Sequence, residues 1–157
     1  MNWGSLFFSA EGRVDQKDFW LGAAALFVFG VVIHAAVGVG TLLWALSAYC
    51  WICLYSKRLH DIGKSGWTQV LPWALGVFCL VFGGFAVISS VLGMLFTGLP
   101  HFLGGVVLGG MSMGVGLFAL SAVVHFLFLL WLGLTPGQAG ANRYGPEPGS
   151  RPFSAAA

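Results

Sequence analysis

Two long stretches without a single Asp, Glu, Lys or Arg bracket one short charged segment, and this pattern constrains the fold more than any other feature. The first runs 38 residues, Phe19 to Ser56, and the second runs 78, Ser65 to Asn142. Between them lies Lys57-Arg58-Leu59-His60-Asp61-Ile62-Gly63-Lys64, continued by Ser65-Gly66-Trp67. Only 8% of the 157 residues are charged, where a soluble domain carries about 25%. Such a chain cannot cover an apolar core with polar surface, so it reads as an integral membrane protein. Its length suits one compact domain. The charged island is then held at a membrane surface by apolar segments on either side.

The number of spans follows from length and charge. A helix rises about 1.5 Å per residue, so 38 residues would reach roughly 57 Å against a hydrocarbon core of about 30 Å. Two spans fit better, with a break near Gly38-Val39-Gly40-Thr41. After the island, Trp67 anchors a further span at the headgroups and Pro72 falls in its first turns, where the missing N–H does least harm. Thr97-Gly98-Leu99-Pro100-His101 is the clear break in the second apolar stretch. The expected architecture is an all-α polytopic membrane helical bundle of about four transmembrane helices in two hairpins. Its spans lie at about 19–38, 41–56, 70–96 and 102–134, within a single membrane domain of residues 1–149. The last span is long, and Gly104-Gly105 or Gly109-Gly110 can kink it or make part of it re-entrant. Residues 150–157 form a disordered tail. With four spans, all seven Lys and Arg (Arg13, Lys17, Lys57, Arg58, Lys64, Arg143, Arg151) share one face. The positive-inside rule then places both termini in the cytoplasm. Trp20, Trp67, Trp73 and Trp131 fall near that interface, and Trp44 near the outer one.

Residues 1–18 do not fit a cleaved secretory signal, because Glu11, Arg13, Asp15, Lys17 and Asp18 precede the apolar run. Leu6, Phe7 and Phe8 suit an interfacial amphipathic turn, Gly12 suits a turn, and Asp15 is a candidate helix cap. A net charge of +2, without a basic run interleaved with aromatics, gives no reason to expect a nucleic-acid partner. Cys50 and Cys53 form a C-x-x-C inside an apolar run, not at a helix start beside a strand, so they read as small packing residues. No cofactor or metal site is expected, since the neighbourhood offers too few ligands.

Inside lipid, small residues let helices approach closely. Gly105-x-x-x-Gly109 and Gly110-x-x-x-Gly114, with Ser112 and Gly116, mark one such face in the last span. Gly76, Gly83, Gly84, Ala86, Ser89, Ser90 and Gly93 mark one in the third. Intrachain packing is the expected use; a homo-oligomer or a membrane-protein partner on these glycine-rich faces is the alternative. His34 and His125 lie within spans, where an ionisable residue is a functional candidate by default. No Asp or Glu lies in a span to complete a proton relay, so neutral histidines hydrogen-bonded between helices are expected.

Three segments together carry a family resemblance: Gly12-Arg13 with Asp18-Phe19-Trp20; Arg58-Leu59-His60-Asp61-Ile62-Gly63-Lys64-Ser65-Gly66-Trp67; and Pro136-Gly137 with Asn142-Arg143-Tyr144-Gly145-Pro146 and Pro148. The chain resembles the bacterial inner-membrane family called domain of unknown function 805 over nearly its whole length. The resemblance implies a small multi-pass protein of the bacterial inner (plasma) membrane and no particular activity. The apolar stretch between the second and third motifs is longer and richer in glycine here than in many relatives.

If four spans hold, the three motifs meet at one membrane face. The candidate site is Arg13, Arg58, His60, Asp61, Lys64, Asn142 and Arg143, with Lys17 nearby. Arg forks suit phosphate oxygens, so one reading is a rim that binds a lipid headgroup or another anion, or a partner. A second is structural: Asp61 pairs with Arg58 or Lys64 as an exposed pair worth about 0–1 kcal/mol, and the motif fixes a hairpin. The third is a membrane-embedded lipid-modifying enzyme using His60 and Asp61. Adjacent residues do not share a helix face, and no nucleophile or second acid is evident, so a binding or scaffold module is favoured over an enzyme. A small transporter or accessory subunit is the remaining alternative.

Overall fold

The computed structural model describes residues 3–35, 40–97 and 102–150. The expected break near Gly38, the one at Gly98–Pro100, His101, the side chain of His34 and the 151–157 tail lie outside the described residues. The elements are α1 (Trp3–Phe8), α2 (Gln16–Ala35), α3 (Gly40–Asp61), a 3₁₀ turn (Gly66–Gln69), α4 (Val70–Thr97) and α5 (Phe102–Leu134). Among the described residues there is no strand, only an isolated bridge between Asn142 and Gly145. Among the described residues three stretches are long and apolar enough to cross a membrane: Gln16–Ile33, Gly66–Leu95 and Leu108–Leu134. Helix α3, which ends in the charged island, is not one of them.

The chain divides into two compact units, one of Met1–Gln69 with Leu130–Ala157 and one of Val70–Leu129. In the first, α3 packs against α1, α2 and the 3₁₀ turn. Phe19, Cys53, Leu54, Leu59 and Leu132 are fully buried, and Leu6, Val14, Ala23, Leu26 and Cys50 nearly so. Cys50 and Cys53 are therefore packing residues, as their apolar setting implied. Gly22 brings α2 onto α3: a Cβ there would meet Leu54 at 3.1 Å and Leu6 at 3.2 Å. Leu6 thus points into the protein, while Trp3 and Phe8 stay exposed.

In the second unit α4 and α5 run antiparallel, because Gly76 faces His125, Gly83 faces Gly114 and Ser90 faces Gly110. Only part of the glycine pattern is the seam. A Cβ on Gly110 would strike the Ser90 hydroxyl and approach the Ala86 carbonyl oxygen to 3.1 Å; on Gly114 it would lie 2.8 Å from the Gly83 carbonyl oxygen. Gly109 and Gly116 face open space. His125 hydrogen-bonds within its own helix, Nδ1 to the Ser121 carbonyl at 2.8 Å, instead of between helices as expected. It meets α4 by edge-to-face contact with Trp73, 5.7 Å between centroids. Large apolar side chains such as Phe82, Phe85 and Ile88 stay exposed on α4, a surface suited to lipid and not to water.

Candidate functional site

The site lies within the first unit and is built on the C-terminus of α3. A helix leaves its last four carbonyls without intrahelical partners, and here each finds one. Gly63, at φ +77°, ends the helix. Lys64 N then reaches the Leu59 carbonyl at 2.7 Å and Gly63 N the His60 carbonyl at 3.1 Å, the paired bonds of a Schellman cap. Ile62 N bonds the Arg58 carbonyl at 3.2 Å, and Gln138 N, from the segment after α5, bonds the Asp61 carbonyl at 2.8 Å. The Asn142 amide adds a 3.0 Å bond to the His60 carbonyl.

Asp61 stands at the centre. Arg13 donates Nε to its Oδ1 at 3.0 Å, with Nη2 2.9 Å from the same oxygen, and Arg58 donates Nη1 to Oδ2 at 2.5 Å. Arg58 is fully buried and Asp61 is 3% exposed. The Arg58–Asp61 pair is therefore not the exposed surface pair that the spacing suggested. Its enclosure comes from segments distant in sequence. Arg58 Nε donates to the Leu132 carbonyl at 2.9 Å, Nη2 to the Thr135 carbonyl at 2.5 Å and Nη1 to the Val14 carbonyl at 3.3 Å. Arg13 donates Nη1 to the Gly140 carbonyl at 2.6 Å and Nη2 to the Gln138 carbonyl at 2.5 Å. Burial lowers the proton affinity of the Arg58 guanidinium, with Asp61 and then Asp15 opposing the shift; an arginine stays charged through such a change.

The same arrangement closes the end of α5. The Leu132 carbonyl takes Arg58, and the Gly133 carbonyl takes Gln16 Nε2 at 2.6 Å and Trp20 Nε1 at 3.2 Å. Gly137 has no room for a side chain, because a Cβ would overlap the Asp61 carboxylate. Asn142 and Gly145 exchange backbone bonds of 3.0 Å in a tight turn, with Tyr144 N on Asn142 Oδ1 at 2.9 Å. That turn stacks Tyr144 flat on His60, 3.8 Å between centroids and 8° between planes. His60 Nδ1 lies 3.1 Å from the Gly12 carbonyl oxygen. A carbonyl only accepts, so Nδ1 carries the proton. Burial holds the imidazole below its usual value; the Gly12 bond opposes this and the Arg143 charge adds to it. At the start of α2, Asp15 acts as the cap, accepting Asp18 N at 2.7 Å.

Of the seven candidate residues, Arg13, Arg58, His60, Asp61 and Asn142 are thus joined in one hydrogen-bonded junction. Lys64 and Arg143 stand outside it, exposed and without an ion pair among the described residues. Lys64 Nζ lies 6.0 Å from the Trp131 ring and Arg143 Cζ 4.7 Å from the Tyr144 ring. Gln138 is the member that sequence reasoning missed. Its side-chain Oε1 accepts the Asn142 amide at 3.1 Å, but it holds Arg13 and the Asp61 carbonyl through its backbone carbonyl and N–H, groups that every residue but proline possesses and that carry no sequence signal. Tyr144 stood in the third motif, but its stacking partner was not apparent.

A family described as "Protein of unknown function (DUF805)" matches residues 7–146. The uncharacterized protein YiiR of Escherichia coli K12 is 29% identical over 150 residues, covering 89% of this chain and 86% of that protein. Its counterpart from Escherichia coli O157:H7 matches to the same extent. No solved structure matches.

Proposed function

The chain belongs to the DUF805 family of proteins of unknown function, and from that premise we propose that it is a membrane-embedded scaffold whose charged junction sets a basic rim against anionic lipid headgroups. The observation that carries this reading is the full burial of Arg58 and the commitment of both arginines to Asp61 and five backbone carbonyls. Guanidinium groups so engaged are positioning groups. The exposed Lys64 and Arg143, with Lys17, are the cations left to meet phosphate oxygens. In this reading α3 joins the three longer apolar stretches as a fourth span up to Ser56. The whole basic face then lies on the cytoplasmic side of a bacterial inner membrane, supported by the one-sided distribution of Lys and Arg.

Each basic residue near an anionic leaflet contributes about 1 kcal/mol. The double variant Lys64→Gln/Arg143→Gln should therefore lose roughly thirtyfold in retention of anionic lipid, scored by native mass spectrometry after mild detergent extraction. Its melting temperature should match the parent. Unchanged lipid retention in a folded double variant would remove the rim as a binding surface.

A further inference from the structure

A second charged feature lies beside the junction and shares Arg13 with it. Ser5, Arg13, Asp15, Asp18, Lys57 and Pro148 are among the residues lining a cleft of about 220 Å³ between α1, the Gly12–Asp15 turn and the end of α3. That is smaller than the about 300–1,000 Å³ of a site for a drug-sized ligand, and on the scale of a single headgroup. Lys57 is 6% exposed, and its ammonium donates to the Ser5 carbonyl. No carboxylate reaches it: the ion pairs found among the described residues both belong to Asp61. A buried ammonium with one carbonyl partner and no counter-charge is costly, and two of its three N–H donors remain for an anion. Across the same cleft stand two carboxylates with spare acceptor capacity. Asp15 uses Oδ1 for the Asp18 N–H, and Asp18 accepts no side-chain bond among the described residues. Arg13 is already engaged by Asp61 and the Gln138 and Gly140 carbonyls, so it adds positive potential without a free fork.

We propose that this cleft binds the zwitterionic headgroup of an ethanolamine-type phosphodiester, its phosphate on Lys57 and its primary ammonium between Asp15 and Asp18. The opposed charges explain the choice. A purely anionic headgroup would satisfy Lys57 but face two carboxylates, and a trimethylated amine has no N–H to give them. That the headgroup comes from a bilayer lipid rests on the membrane placement proposed above; the chemistry of the cleft does not.

The test uses the full chain in nanodiscs containing equal parts phosphatidylethanolamine, phosphatidylglycerol and phosphatidylcholine, with bound lipid identified by native mass spectrometry. The parent should retain phosphatidylethanolamine over each of the others by about tenfold, the equivalent of one charge-assisted hydrogen bond. Asp18→Asn is isosteric and half-buried at the cleft edge; it should erase the preference for ethanolamine over glycerol at unchanged melting temperature. Lys57→Gln should lower retention of all three. If Lys57→Gln does not fold, the parent's ranking and Asp18→Asn decide the matter by themselves. Soluble glycerophosphoethanolamine supplies the last arm: saturable binding to the parent in detergent, lost in Asp18→Asn, supports the site even if no lipid is retained, and in that case the membrane source alone fails. Equal retention of the three lipids by the parent, or a preference that survives Asp18→Asn, overturns the assignment.

Discussion

The sharpest test of the junction is Asp61→Asn. The change keeps the shape of the side chain, so no cavity forms and the cost is electrostatic. In the folded protein the Asp61 carboxylate receives Arg13 through Oδ1 at 2.9–3.0 Å and Arg58 through Oδ2 at 2.5 Å, with both acidic oxygens out of solvent. An asparagine keeps one acceptor oxygen and turns an NH₂ group on the other guanidinium, so one buried arginine meets a donor. Two buried cations also lose the carboxylate that bridges them. Removing one partner of a buried pair costs about 3–5 kcal/mol, against about 0–1 kcal/mol for an exposed pair. For a chain of this length 1 kcal/mol shifts the melting point by about 2–4 °C, so the expected fall is roughly 6–20 °C. Thermal unfolding in detergent, followed by tryptophan fluorescence, reads it directly. Lys64→Gln is the internal comparison, expected within about ±0.5 kcal/mol of the parent because its side chain is exposed. Arg58→Lys should behave like Asp61→Asn. A single ammonium cannot span Leu132, Thr135, Val14 and Asp61 as the planar fork does. A fall below about 2 °C for Asp61→Asn, indistinguishable from Lys64→Gln, would refute the buried-junction argument.

Other consequences can be checked independently. Gly110→Leu should lower thermal stability in detergent while Gly109→Leu leaves it unchanged, since a Cβ meets Ser90 and Ala86 at the first position and nothing at the second; equal effects would remove Gly110 from the seam. The depressed His60 value means the neutral ring is the form that folding favours. Its contribution is therefore complete above the unfolded value of about 6.5 and is lost as pH falls through the lower folded value. Melting temperature should drop on acidification below about pH 6.5, and His60→Gln should flatten that dependence; parallel curves would show that His60 does not control it. Reporter fusions after Gly66 and after Ala157 should both report cytoplasm, and one at Gly98 the outside; a C-terminus on the opposite side would end the four-span proposal.

Much of the local structure was legible in the residues. Asp15 caps α2 because a short carboxylate three residues before an N–H suits that position, and Gly12 turns the chain at φ +87° where a side chain would be strained. The Cys50 and Cys53 thiols are free and buried, as their place in an apolar run implied. What could not be read was partner choice. The sequence marks Gly109, Gly110 and Gly114 alike, yet only the register of α4 against α5 decides that, of these three, Gly110 and Gly114 are the ones in contact. His125 offered two ring nitrogens to several helices, and the carbonyl one turn away in its own helix was nearest. Gln138 holds Arg13 and the Asp61 carbonyl through backbone atoms, which carry no signature of their own.

The sequence by itself determined the helical, lipid-suited class of this protein, because runs of 38 and 78 residues without charge leave the backbone no solvent partners other than its own hydrogen bonds. It also confined the polar chemistry to one island and two flanking motifs. Only the tertiary structure decided which of those groups are buried and with whom they pair. Arg13, Asp61 and Gln138 are far apart along the chain, and burial is a property of what packs over a group and not of the group. Once the segment after α5 covers the end of α3, the same Arg58–Asp61 spacing that describes a weak surface pair becomes a desolvated junction. The same covering leaves Lys57, Lys64 and Arg143 without an ion pair among the described residues.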